Sequence, residues 1–152
     1  REAQALACHL TIPETHFFRS PETFAMLQTQ MLPELIAAQQ NGPRRLRLWS
    51  AGCATGPEPY SLAILISRLI PDLADWDVSI LATDINPEGF ATARAGEYTQ
   101  WAFRGTPSLV TSREMSSSRN DGQSRDCCSA SGPGIETSLS LQTRMLPRMS
   151  PD

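Results

Sequence analysis

The chain contains no lysine; all thirteen of its basic residues are arginine. Sixteen Asp and Glu outweigh them, and the net charge is -3. No basic stripe appears, which excludes a duplex-DNA binder working by phosphate neutralisation, and no nucleic-acid partner is expected. Apolar runs of about 18 residues are missing, so no membrane insertion is expected. The opening "REAQALACHL" lacks the basic start and long apolar stretch of a signal peptide. It also lacks an initiator Met, as a segment from inside a longer protein would. Cys8, Cys53, Cys127 and Cys128 form no C-x-x-C pair, and reduced thiols in a cytoplasmic protein are expected. The two histidines, His9 and His16, have no partners at ligand spacing, so no metal site is expected.

Aromatic residues stop at Phe103. Beyond it lies a Ser-rich stretch, "SSSRNDGQSRDCCSASGPG", with no sustained period of 2 or 3.6. Such a composition cannot bury enough apolar surface to offset the entropy of ordering the chain. A boundary is therefore placed at Thr106 to Ser108. Residues 1–107 are expected to fold, and 108–152 to be disordered. Arginine without lysine suggests GC-rich coding, whose out-of-frame translation yields Ser, Arg, Pro, Gly and Cys. A frame-shifted tail is the favoured explanation, and a natural low-complexity linker is the other.

The 152 residues suffice for one modest domain. Ser20, Pro21 and Glu22 form a helix start, with a capping hydroxyl and Pro at the first helical position. Phe24, Leu27, Met31 and Leu35 continue at helical spacing. Pro33 predicts a kink or two abutting helices. "LRLWS" (46–50) reads as a strand. A small-residue loop follows, then an apolar helix from Gly56-Pro57-Glu58 to Pro71, expected to pack on a sheet. "VSILATD" (78–84) reads as a second strand, buried on both faces. A third helix starts at Asn86-Pro87-Glu88, with Phe90, Ala91 and Ala93 inward, and ends at Gly96. The fold class is α/β: a βαβ unit with parallel strands, with the ligand beyond their carboxyl ends.

The loop "SAGCATGPEPYS" narrows the ligand. A dinucleotide fingerprint would read G-x-G-x-x-G, and a phosphate loop would carry Lys after its last Gly. Here Ala54 follows Gly52-Cys53, and Pro57 follows Gly56. Pro57 offers no N–H to an anion, and Glu58 adds negative charge where a pyrophosphate would lie. A ligand with a positive centre and no phosphate fits, and S-adenosylmethionine is one. Asp84 can accept from ribose hydroxyls, or cap the turn before Asn86. Glu58 can alternatively complement the helix dipole.

"ETHFFRSPETF" (14–24), "LRLWSAGCATGPEPYSLAI" (46–64), "LATDINPEGFATARAGEY" (81–98) and "WAFRGTP" (101–107) together resemble the CheR-type methyltransferases. The resemblance implies a partial Rossmann-like S-adenosylmethionine methyltransferase fold. It also implies methyl transfer to glutamate side chains of chemotaxis receptors, with S-adenosyl-L-methionine as cofactor. Thr15 and Arg19 resemble positions near the cofactor and reacting centre, with Arg19 as the catalytic candidate. Gly52 and Glu58 resemble the cofactor loop and the carboxylate at its amino-acid end, and Asp84 the ribose ligand. Pro57 and Pro13 depart from the usual motif. After Pro107 nothing resembles the family's later strands. The other readings are an inactive remnant or regulatory module, and an unrelated Rossmann-like enzyme. An isolated surface ion pair is the alternative for Arg19.

Overall fold

The computed structural model describes residues 2–106, 138–142 and 148–149; for 3–5, 7, 138–142 and 148–149 only the backbone is described. Chain order begins with helix α1 (Glu2–Leu10), then α2 (Pro21–Met26) and α3 (Leu32–Gln39), joined by a π-helical turn at Leu27–Met31. The π turn is where the sequence predicted a kink. Pro33 has no N–H to continue the ladder, and just before it the Leu32 N–H reaches back five residues to the Leu27 carbonyl. Ser20 precedes α2 without a side-chain cap bond, contrary to expectation. Its carbonyl accepts from the Phe24 N–H instead. Met31 and Leu35 keep the helical spacing but stay half-exposed, and Leu32 is the residue that goes inward.

Strand β1 (Arg45–Ala51) and strand β2 (Asp77–Thr83) pair in parallel, Leu46 beside Val78 through Ala51 beside Thr83. Helix α4 (Pro57–Leu69) forms the crossover between them. This is the expected βαβ unit. Tyr60, Leu62, Ile64, Leu65 and Ile66 of α4 are buried with Leu46, Val78, Ile80 and Ala82 of the sheet, and this is the core. Both strands alternate in burial, so β2 is not buried on both faces as expected. Trp49 and its cross-strand neighbour Leu81 are 69% and 43% exposed. The β-run had the composition of a fully covered parallel sheet, but α4 covers only one of its faces.

Beyond β2 a 3-10 turn (Pro87–Gly89) leads into α5 (Phe90–Ala95), which ends at the left-handed Gly96. Phe90 and Ala93 point inward as expected, whereas Ala91 is exposed. Strand β3 (Glu97–Tyr98) and a 3-10 turn (Gln100–Phe103) follow. Phe17 stacks on Phe103 (centroids 4.2 Å apart) and meets Tyr98 edge-on at 5.1 Å, so the segment before α2 is locked against the one after β3.

Two short strands lie past the boundary expected at Thr106 to Ser108. Strand β4 (Ser138–Gln142) runs antiparallel along β2, and β5 (Arg148–Met149) lies parallel to β3. The letters "SLSLQ" alternate, a period-2 signal too short to register in a window dominated by Ser. The rest of 107–152, with Cys127, Cys128 and the frame-shift expectation, lies outside the described residues. Among the described residues no helix is long and apolar enough to cross a membrane.

Candidate functional site

The loop between β1 and α4 is tied to the carboxyl end of β2. The Gly52 and Cys53 N–H groups both donate to the Thr83 carbonyl, at 2.7 and 3.0 Å. The Ala54 N–H donates to Asp84 Oδ2 at 2.8 Å. The Tyr98 hydroxyl donates to the Thr55 carbonyl at 2.8 Å, and burial holds that phenol well above its ordinary range. Gly52 has φ 77° with open space around it, so glycine serves the backbone angle there. Gly89 is different: a Cβ at that position would press on the Ala54 carbonyl, so the first turn after β2 can approach the loop only without a side chain.

Asp84 sits half-buried just past the end of β2. Its Oδ1 accepts the Asn86 N–H at 2.8 Å while Oδ2 holds Ala54. The turn-capping role is therefore present, and it coexists with a ligand role. A carboxylate has about four acceptor positions, and two are used here. Glu58 stands in the first turn of α4, where its charge complements the helix dipole. Its Oε1 accepts from the buried Ser50 hydroxyl at 2.6 Å, and Oε2 has no protein partner at hydrogen-bond distance among the described residues. Cys53, between Gly52 and Ala54 in the same loop, is buried. Burial first, then the charges of Asp84 and Glu58, push its thiol up to about 11.

The segment before α2 contributes to the same site. Arg19 is exposed, and its Nη1 donates to the Glu14 carbonyl at 2.7 Å. The ion pair of Glu14 is with Arg104, at 2.8 Å. Burial, then Arg104 and Arg19, hold the His16 imidazole below its usual value, so it is neutral at neutral pH. Phe18 has φ 54°, strained for a bulky side chain, and its N–H donates to Ser61 Oγ at 3.0 Å.

Thr15, Arg19, Gly52, Glu58 and Asp84, separated by up to 69 positions, all line one cleft of about 1080 Å³. Its lining carries one arginine, Arg19, and three acids, Glu14, Glu58 and Asp84. The walls are otherwise largely apolar, with Leu35, Leu62, Trp49 and Ile85 among them. The indole N–H of Trp49 donates to Thr83 Oγ1 at 3.0 Å, which fixes the ring at the cleft's lip. These features suit a compact ligand carrying a cation, an α-carboxylate and a hydroxylated ring. They do not form a phosphate cradle, because Pro57 occupies the first turn of α4. Sequence reasoning missed Ser50, Ser61, Gly89 and Trp49. The small residue after "NPE" was the one available signal for Gly89, and a serine gives no sign of its partner before folding. Among the described residues no group of three His, Cys, Asp or Glu could hold a metal.

Residues 13–128 match the family described as CheR methyltransferase, SAM binding domain. The match extends past Pro107, where the recognisable motifs end. A probable chemotaxis protein methyltransferase of Rhizobium etli is 47% identical over 95 residues, covering 62% of this chain and 35% of that protein. Chemotaxis protein methyltransferase 1 of Pseudomonas aeruginosa is 44% identical over 97 residues, again 62% and 35%. A probable biofilm formation methyltransferase, WspC, of Pseudomonas putida is 41% identical over 105 residues, covering 69% and 24%. The chain thus spans about a third of the length of the chemotaxis relatives, and less of the other.

Proposed function

The chain belongs to the CheR methyltransferase family, in its SAM-binding domain, and on that premise we propose that its cleft binds S-adenosyl-L-methionine for methyl transfer to glutamate carboxylates of chemotaxis receptors. Residues 1–107 are the cofactor-binding unit, acting in the cytoplasm where the receptors present those glutamates. The observation that carries this is the convergence of Arg19, Glu58 and Asp84 on one cleft whose helix start lacks a phosphate-binding N–H.

Asp84 receives ribose hydroxyls on the acceptor positions its two backbone amides leave open. Glu58, held by Ser50, offers Oε2 to the ammonium of the amino-acid end. Gly52 lets the loop turn closely past the ligand, and Thr15 lines the same cleft. The cofactor supplies an electrophilic methyl on a sulfonium. A glutamate carboxylate is already ionised at neutral pH and needs no general base. The contribution of the protein is alignment and exclusion of water. Arg19 orients a carboxylate, because it has five N–H donors and spends one on Glu14.

The alternative reading is a regulatory module or inactive remnant that binds the cofactor without transferring its methyl group. Incubation of the chain with labelled S-adenosylmethionine and a receptor cytoplasmic fragment separates the two. Labelled glutamate methyl ester supports transfer. Cofactor binding without label supports the module.

A further inference from the structure

Three polar side chains are buried among the described residues: Ser50, Ser61 and Asn86. Ser50 holds Glu58, and Asn86 caps the turn after β2, accepting the Glu88 N–H and donating to Thr11 Oγ1. Ser61 alone has no part in the cofactor reading above. It lies on the second turn of α4, 0% exposed. Its hydroxyl donates to the Pro57 carbonyl at 2.8 Å, which fixes its single proton along the helix. The lone pairs then face away from the helix, and one accepts the Phe18 N–H at 3.0 Å.

That acceptor sits where the segment before α2 is strained. Phe18 is left-handed, with φ 54°, and Arg19 is the next residue. Phe17 is anchored separately: its N–H donates to the Ala102 carbonyl at 2.8 Å and its ring stacks on Phe103. Two adjacent amides thus use two different anchors, Ala102 and Ser61. The first holds Phe17 in the core. The second sets the direction in which the chain leaves it.

We propose that Ser61 is a positioning residue for Arg19: by accepting the Phe18 N–H it holds the left-handed turn that points the guanidinium along the cleft. The inference rests on Arg19 serving the cofactor site. Without the hydroxyl, Phe18 relaxes to an ordinary backbone angle, and Arg19 leaves its place in the cleft lining, where its Nη1 donates to the Glu14 carbonyl. The core contacts of Phe17 remain.

The test uses the full chain with Ser61→Ala, Arg19→Ala and the double variant. Amide exchange reads the anchor without any ligand. Ser61→Ala is expected to speed exchange at Phe18 about tenfold and to leave Phe17 unchanged. Titration with S-adenosylhomocysteine reads the consequence. Ser61→Ala is expected to raise Kd about tenfold in the native background and about twofold or less when Arg19 is already Ala. In a Glu58→Gln background the tenfold effect persists. Unchanged exchange at Phe18, or an equal loss of affinity with and without Arg19, overturns the proposal. If the native chain binds no S-adenosylhomocysteine, the cofactor reading fails, and exchange at Phe18 alone decides whether Ser61 is the anchor.

Discussion

Asp84 and Ala54 are thirty residues apart and share one hydrogen bond, amide to carboxylate, at 2.8 Å. Through it the acid at the end of β2 sets the shape of the loop after β1. The group expected to receive a ribose and the loop expected to cradle the cofactor are one mechanical unit. Asp84 completes the unit by capping Asn86 with its other oxygen.

Replacing Asp84 should therefore affect stability and binding together. Asp84→Ala leaves the Ala54 and Asn86 amides without their acceptor, at a cost of about 1–3 kcal/mol. Asp84→Asn retains one carbonyl oxygen and should lose less. Affinity for S-adenosylhomocysteine should fall by about tenfold or more in both. Urea denaturation and calorimetric titration of the same samples check the pair. Full binding by Asp84→Ala would remove the ribose role.

Gly89 and Gly52 should respond differently to alanine. At Gly89 the added methyl meets the Ala54 carbonyl, and overpacking of this kind costs about 1–3 kcal/mol. The loop must shift, so binding is lost with stability. At Gly52 there is room, and the cost is the left-handed angle alone, about 1–2 kcal/mol. Thermal melts with and without ligand compare them. The Gly89→Ala melt should lose its ligand-induced rise, whereas that of Gly52→Ala should keep part of it.

Cys53 should be chemically silent in the folded chain. A thiol held at about 11 has almost no thiolate at pH 8, and it is buried. Alkylation there should wait on unfolding. The stability consequence follows from proton binding. Between about 9 and 11 the unfolded thiol has released its proton and the folded one has not, so stability falls as pH rises through that window. Cys53→Ala should flatten the fall. Denaturation midpoints at pH 8 and 10.5 measure it.

Asp77 should matter at the other end of the pH scale. Hydrogen bonds from Arg47 hold its carboxyl below the usual carboxylate range, with Arg45 adding to the effect. The ion pairs are exposed, so the contribution is small. It is present above the unfolded carboxylate value and is lost as pH falls through the lower folded one. Asp77→Asn should melt slightly lower at pH 7, and the difference should close in acid.

The elements that position the site were legible because each carries local chemistry. Pro57 and Glu58 mark a helix start, Gly96 a helix end, and the apolar face of α4 its packing partner. Gly52, Glu58 and Asp84 stand out from the loop and the strand end, whereas Thr15 and Arg19 are candidates only through motifs, since nothing local says that Arg19 and Asp84 share a cleft. Ser50 and Ser61 were not legible, because a serine's role depends on which groups folding leaves beside it. The sequence predicts β2 to be buried on both faces, whereas its face carrying Leu81 is exposed. A β-run of that composition is usually covered on both sides, and among the described residues α4 covers only one. β4 was missed because five alternating letters are a weak signal inside a Ser-rich stretch.

The proposed ligand is a phosphate-free adenosine with an amino-acid end rather than a phosphate-bearing nucleotide. Calorimetric titration of the full chain with S-adenosylhomocysteine, against NAD and ATP as controls, tests it most directly. Saturable one-to-one heat is expected with S-adenosylhomocysteine, weakened in Glu58→Gln and Asp84→Asn, and none with NAD or ATP. Absence of heat with S-adenosylhomocysteine, or binding of NAD or ATP in its place, would contradict it.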